Sequence, residues 1–273
     1  MEENKKPVVA LTNSERFPLL SDLSYLNKLK QDQFAPKFNF QSGDRLFRHH
    51  LQQVQAYAEK LNSKPPVNEG ASPGWLDHYL QWCIETVPFY KNRKSHFEEQ
   101  PTIGRGDLHR APWKFVSADC DLEDMLVYQT SGTTGSAMDV VFDPVSQACW
   151  IPQLESVLDS YGIKLSRGPY VTAIALICDQ QSTLTYPSLS SYLEGAGILK
   201  INLNVSDWND AGHRLKYLEK YNPEVLTGDP FAFLSLLALT PRLSPKALVS
   251  SAMKMTQGIK EKLEAYFKCP VLD

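Results

Sequence analysis

From about residue 146 to the end of the chain, strand-patterned and helix-patterned segments alternate, and this alternation narrows the fold more than any other feature. Tyr170 to Cys178 is a continuous apolar run rich in branched side chains, the pattern of a strand buried on both faces. Strands are predicted again over Ile198 to Val205, Val225 to Gly228, Lys246 to Ser251 and from Val271. Between them, helices are predicted over Ser188 to Gly197, Asp207 to Tyr221 (with Trp208, Leu215 and Leu218 buried), Phe231 to Leu239 and Gln257 to Phe267. A helix over Ser146 to Tyr161, with Trp150, Leu154, Val157, Leu158 and Tyr161 as its apolar stripe, comes before them. Such a succession implies an α/β fold with a largely parallel sheet.

The first half reads differently. Residues 1 to 40 look loosely organised, with a short helix around Leu19 to Leu29. Gly43-Asp44 precedes a long helical run ending near Asn62, and Lys64-Pro65-Pro66 to Pro73-Gly74 is a linker full of helix breakers. A second helix starts near Pro73. Its aromatic stripe, which includes Trp75, Tyr79 and Trp82, is expected to pack as core. Two glycines in Gly104-Arg105-Gly106-Asp107 make a turn, with Asp107 as the expected N-cap of a short helix. The domain division is therefore residues 1–73, a helical N-terminal region with linker, and residues 74–273.

Composition excludes several classes. A net charge of −3 gives no electrostatic footprint for nucleic acid or an anionic membrane. The polar opening Glu2 to Lys6 is unlike a secretory signal, and the apolar runs are too short or too interrupted to span a bilayer. The five cysteines (Cys83, Cys120, Cys149, Cys178 and Cys269) are far apart and odd in number, so free thiols in a reducing cytoplasm are expected. His49 and His50 are adjacent on a helix, so they are expected to point to different sides and not to share a metal.

The run Thr130-Ser131-Gly132-Thr133-Thr134-Gly135 lies between Met125-Leu126-Val127 and Val140-Val141-Phe142, which reads as strand, tight loop, strand. Glycines allow close backbone approach, and hydroxyls with exposed N–H groups can cradle phosphate oxygens. A Walker loop needs a Lys directly after the last glycine, and a kinase loop needs a V-A-I-K strand; both are missing. What remains is the Ser/Thr/Gly loop of enzymes that activate a carboxylate with ATP.

Thr130 to Gly135 resembles the phosphate loop of the acyl- and aryl-CoA ligase superfamily, and its surroundings resemble the phenylacetate–CoA ligase-like branch. Val87-Pro88-Phe89-Tyr90-Lys91 is similar to that branch's S-P-F-Y-R element, and Pro101 to Leu108 to its P-x-x-x-K-x-D-L element. Asn222 to Pro230 is similar to its P-x-v-l-x-g-x-P-s element, while Pro245 to Ser251 and Cys269 to Asp273 are similar to the strands flanking its adenine pocket. The resemblance implies that residues 74–273 are a partial AMP-binding domain. ATP phosphates would lie on Thr130, Ser131, Gly132, Thr133, Thr134 and Gly135, and adenine on Ser251, Ala252 and Met253. It also implies Mg2+, a small carboxylic acid substrate, CoA or a carrier protein as acceptor, and an assembly that allows a homodimer. In that family a carboxylate oxygen attacks the α-phosphorus, an acyl-adenylate forms and pyrophosphate leaves, and the resemblance implies the same reaction here.

Departures accompany the likeness. Met138 stands where the family usually has Lys or Arg. The sequence ends at Asp273, where the family continues to a Tyr-Gly-x-x-Glu motif and a small C-terminal domain with a catalytic Lys. A truncated domain is therefore expected, with three functional readings. One is a carboxylate-activating ligase whose activity in this chain alone is doubtful. Another is a non-catalytic nucleotide- or acyl-binding relative, or a subunit completed by another chain. The third is an acyl-protein synthetase. The polar segment Asp179 to Pro187 is the expected acyl-pocket loop.

Overall fold

The computed structural model describes residues 11–63, 73–91, 93, 97–130 and 138–273. In chain order the helices are α1 (Asn13–Arg16), α2 (Ser24–Gln31), α3 (Arg48–Asn62), α4 (Leu76–Thr86), α5 (Arg105–Arg110), α6 (Pro144–Ala148), α7 (Trp150–Asp159), α8 (His213–Tyr221), α9 (Pro230–Ala238) and α10 (Gln257–Phe267). The strands are β1 (Leu126–Gln129), β2 (Asp139–Phe142), β3 (Thr172–Cys178), β4 (Tyr186–Ser190), β5 (Ala196–Asn202), β6 (Val225–Gly228), β7 (Ala247–Ser250) and β8 (Val271–Leu272). The chain divides into two compact units. One holds the residues through Leu51, Ile163–Gln180 and Thr185–Asp273; the other holds Gln52–Gly162 and Gln181–Leu184.

The first unit is built on a six-stranded mixed sheet in the order β4-β5-β3-β6-β7-β8. The pairs β5–β3, β3–β6, β6–β7 and β7–β8 are parallel, and only β4 runs against its neighbour β5. The alternation predicted from the sequence is thus realised as a largely parallel sheet. Ala175, Ile177, Leu199, Ile201, Leu226, Leu248 and Val271 share the face that forms the core, together with α2, α8, α9 and α10.

Residues from the N-terminal segment cover this face, and tyrosines fasten them. Tyr217 is fully buried, and its hydroxyl donates to the Leu29 carbonyl at 2.9 Å. The Tyr25 hydroxyl pairs with Thr172 Oγ1 at 2.6 Å, and the Tyr221 hydroxyl reaches the Lys28 carbonyl at 3.0 Å and Asp32 at 2.8 Å. Each ring buries apolar area while its hydroxyl stays satisfied, which removes the cost of sinking a polar atom. The Asp32 carboxylate also accepts from Lys220. Burial would raise its pKa, but the bonds from Lys220, Phe34 N–H and Tyr221 outweigh this and hold it below the usual range. Gly197 sits under α2 because a Cβ there would lie 2.9 Å from the Tyr25 ring and 3.2 Å from Leu29.

The exposed flank of the sheet is covered as well. The N–H groups of Asn39 and Phe40 donate to the Thr185 carbonyl, and Thr185 N–H donates to Asn39 Oδ1. Pro187 lies in this edge strand, the place where a residue without an N–H is tolerated.

Several local expectations are corrected. Ser188 to Gly197 is not a helix: Ser188 to Ser190 belong to β4, and a buried turn leads into β5. The glycine that suggested a helix stop, Gly195 (φ +93), follows Glu194 (φ 57) in this turn, where the Gly195 N–H meets the Ser190 carbonyl. The strand expected from Ile198 runs Ala196–Asn202, and the helix expected from Asp207 begins at His213 after a short 3-10 turn. The early helix is Ser24–Gln31.

In the second unit β1 and β2 form an antiparallel pair. Asp107 is not an N-cap but stands three residues into α5, where its carboxylate accepts from the Gly104 N–H at 3.0 Å. The aromatic stripe of α4 is not core: Trp75, Tyr79 and Trp82 are exposed, with Tyr79 edge-on to Trp75 and stacked on Trp82, while Leu80 and Cys83 take the buried face. On α7 the buried residues are Ile151, Pro152, Leu154 and Leu158, and Val157 and Tyr161 are exposed. His49 and His50 do not diverge, since their ring centroids lie 4.0 Å apart.

Asp44 gives the first unit a pH dependence. Its carboxylate accepts from Ser191 N–H at 2.6 Å and Leu46 N–H at 3.2 Å, and burial pushes its pKa up to about 6 from 3.8. The folded state therefore holds the proton between those values, so this group's contribution to stability falls as pH rises through the window and is level above it. Asp44→Asn removes the charge, keeps an acceptor oxygen for the shorter bond from Ser191 N–H and gives up the longer one from Leu46 N–H. The stability of the variant relative to the parent should therefore improve by about 1–3 kcal/mol between pH 4 and pH 8 in urea denaturation. A difference between the two proteins that does not change with pH would show that the charge is compensated.

Candidate functional site

The two parts of the expected nucleotide site lie in different units, and each has its own geometry. In the second unit the β1–β2 hairpin pairs Leu126 with Phe142 and Gln129 with Asp139, so Thr130 is the first residue beyond the ladder. Its N–H donates to the Met138 carbonyl at 2.9 Å, and its Oγ1 accepts from Met138 N–H at 3.0 Å. These two bonds clamp the base of the connection between the strands. Met138, the departure from the expected Lys or Arg, contributes through its backbone here. Ser131, Gly132, Thr133, Thr134 and Gly135 lie outside the described residues. Tyr128 packs edge-on against Phe142 with centroids 5.9 Å apart, which occupies that ring in the hairpin.

In the first unit the carboxyl ends of β6, β7 and β8 lie side by side, the end of a parallel sheet where ligands bind in α/β proteins. Gly228 ends β6, and a Cβ there would lie 2.8 Å from the Ile177 carbonyl oxygen, so the strand approaches β3 as only glycine allows. Asp229 follows as the N-cap of α9: one carboxylate oxygen accepts from Phe231 and Ala232 N–H, both at 2.9 Å, with Pro230 at the first helical position. The element Asn222 to Pro230 thus has a structural use at both ends. Asn222 closes α8 in the left-handed conformation (φ 35). Glu224 accepts from Ser166 N–H and Oγ and from Lys246, and these bonds hold its pKa down against burial.

Ser251, Ala252 and Met253 leave the carboxyl end of β7 as an exposed loop. Ser251 N–H is tied to the Gly228 carbonyl at 2.9 Å, Ala252 adopts φ +70, and the Asp273 carboxylate accepts from Met255 N–H. The loop therefore presents accessible side chains on a fixed base. Beneath it, Ser250 Oγ is buried without a hydrogen-bond partner. Residue type carries no sign of this orphan, because a serine at a strand end looks like any turn-former.

The expected acyl-pocket loop is shorter than Asp179 to Pro187. Tyr186 and Pro187 are in β4, and Gln180 is held by the fully buried Asn202. Asn202 accepts from Gln180 N–H, donates to the Gln180 carbonyl and to Asp207, and its own carbonyl accepts from Trp208 Nε1. Tyr170 is bonded to Ser24 Oγ and packed on Tyr25.

All five cysteines are unpaired. Burial pushes the thiols of Cys120, Cys149 and Cys178 up, and that of Cys269 to about 11, so these four are protonated and weakly nucleophilic at neutral pH. Among the described residues no group of three or more His, Cys, Asp or Glu could hold a metal, and no helix is long and apolar enough to cross a membrane.

No protein-family model and no curated protein matches the chain. Among solved structures it is similar to a 2-hydroxyisobutyryl-CoA ligase in an open conformation with 2-HIB-AMP and CoA, with a TM-score of 0.50 and 15% identity over 72% of this chain. The likeness is one of fold, and the chain spans about half (51%) of that protein's length.

The close approach at Gly228 is testable. Gly228→Ala should cost about 1–3 kcal/mol in urea denaturation, because the added methyl meets a backbone carbonyl that cannot swing aside. A loss under about 0.5 kcal/mol would mean that β3 and β6 part easily.

Proposed function

We propose that this chain is the nucleotide-binding part of an adenylate-forming ligase of the phenylacetate–CoA ligase-like kind, with residues 74–273 as its partial AMP-binding domain and residues 1–73 as an N-terminal region. The observation that carries the reading is the β1–β2 hairpin, whose Thr130–Met138 clamp closes the base of the Ser/Thr/Gly run. The exposed loop Ser251–Met253 at the carboxyl end of a parallel strand supports it, as does the likeness in fold to a ligase solved with an acyl-AMP and CoA.

In this reading the backbone and hydroxyls of Thr130, Ser131, Gly132, Thr133, Thr134 and Gly135 hold the ATP phosphates. Ser251, Ala252 and Met253 border the adenine. The protein's task is to bring two anions together. A carboxylate and a triphosphate repel, so oriented N–H dipoles at the phosphates lower the barrier more than any acid or base would. ATP supplies the activated phosphorus and the pyrophosphate leaving group, and the acyl group then passes to CoA or a carrier. The described residues hold no carboxylate cluster, so they do not form a protein cage for Mg2+, and no step is assigned to it.

ATP binding by the chain, followed by calorimetry, should fall at least tenfold in Gly132→Val with little change in Tm. Unchanged affinity in that variant would overturn the phosphate-loop assignment. ATP–pyrophosphate exchange with a panel of carboxylic acids then separates ligase from binding module: exchange dependent on one acid supports the ligase. ATP binding with no exchange for any acid makes the chain a non-catalytic nucleotide binder or a subunit completed by another polypeptide.

A further inference from the structure

A pocket of ≈ 170 Å³ in the first unit is lined by Arg16, Leu26, Lys30, Phe38, Asn39, Phe40, Gln41 and Pro187. None of these residues belongs to the elements assigned to the nucleotide. The feature that sets the pocket apart is the state of Arg16. It is only 7% exposed, and no carboxylate among the described residues pairs with it. Nε and Nη2 both donate to the Ser42 carbonyl, and Nη1 donates to Asn13 Oδ1 at 2.9 Å. Three of its five N–H groups are used, all on neutral acceptors, and two remain.

The neighbouring acids are committed elsewhere. Glu15 is exposed and bonded to Thr12, and Asp44 takes the N–H groups of Ser191 and Leu46. A buried guanidinium without a counter-charge is costly, and burial alone lowers its pKa here. Lys30 brings a second cation to the pocket, and the amides of Asn39 and Gln41 line it. Leu26, Phe38, Phe40 and Pro187 supply apolar wall. The volume suits a small group, well below the several hundred Å³ of a cofactor site.

We propose that this pocket binds a small oxyanion, a carboxylate or phosphate with at most a short apolar stem, which supplies the counter-charge that Arg16 lacks. The planar fork of Arg16 matches either anion in two-point fashion, and Lys30 adds a point charge. The site is independent of the proposed adenylation, so either can fail alone.

The test uses inorganic phosphate and butyrate as probes, with NaCl at matched low ionic strength as the control. Each is titrated against the 273-residue protein by thermal shift and calorimetry. Saturable binding of one or both probes is expected, with a Kd of about 1 mM or tighter. Whichever probe binds identifies the anion class. Gln41→Glu places a carboxylate in the pocket, so it should raise the Tm of the anion-free protein and weaken probe binding at least tenfold. Lys30→Met changes an exposed side chain and should weaken binding several-fold at unchanged Tm. The phosphate binding that Gln41→Glu weakens should persist in Gly132→Val, which separates this pocket from the phosphate loop. Arg16→Lys should lose most of the affinity, and if it fails to fold, Gln41→Glu decides. Absence of saturable binding of both probes by the parent overturns the proposal, as does a Gln41→Glu protein that binds phosphate undiminished.

Discussion

A parallel sheet with a bare apolar face does not persist in water, and in this chain part of the cover for that face comes from the far end of the sequence. Helix α2 lies over β5, with Gly197 making room for Tyr25 and Leu29, and it is held there by hydroxyls of Tyr25, Tyr217 and Tyr221. The same segment closes the flank of β4 through Asn39 and Phe40. Remove this cover, and the part of the face around Gly197 and Thr172 is laid bare. The tyrosines matter because they bury large rings while leaving no hydroxyl stranded, so cover and attachment come from the same side chains.

The sheet was readable because its signal is local. Ala173 to Cys178 is apolar at every position, and no amphipathic helix has that pattern. Strand β4 was not readable. Tyr186-Pro187-Ser188-Leu189-Ser190 has poor strand character, and what makes it a strand is its pairing with β5 and the segment at Asn39 outside it. Exposure of the α4 aromatics was equally invisible, since spacing reports a shared face and not what lies against it. Asp107 sits in the expected turn with a different role, because a carboxylate at the cap or three residues later can satisfy the same orphan donors.

The same limit applies to the candidate site. The Ser/Thr/Gly run and the strands on either side of it could be read from residue type alone, and the hairpin register agrees with them. What residue type could not reveal is that Thr130 spends its backbone and hydroxyl on Met138, or that Glu224 and Asp229 serve as fasteners. Nor could it reveal that Arg16 is buried without an acid. A charge reads as solvent-facing unless its partners are known, and those partners, Ser42 and Asn13, are backbone and amide groups that carry no sequence signature.

The tyrosine attachments also order events in time. Tyr25 meets a partner 147 residues on, and Leu29 and Lys28 wait for hydroxyls 188 and 193 residues away. At roughly 5–20 residues per second of synthesis, α2 emerges about 10–40 s before the helix that secures it. During that interval α2 has no sheet to cover and no hydroxyl to hold it. Contacts of such long range make folding slow, so α2 finds its place only after β3 and α8 have followed it out of the ribosome.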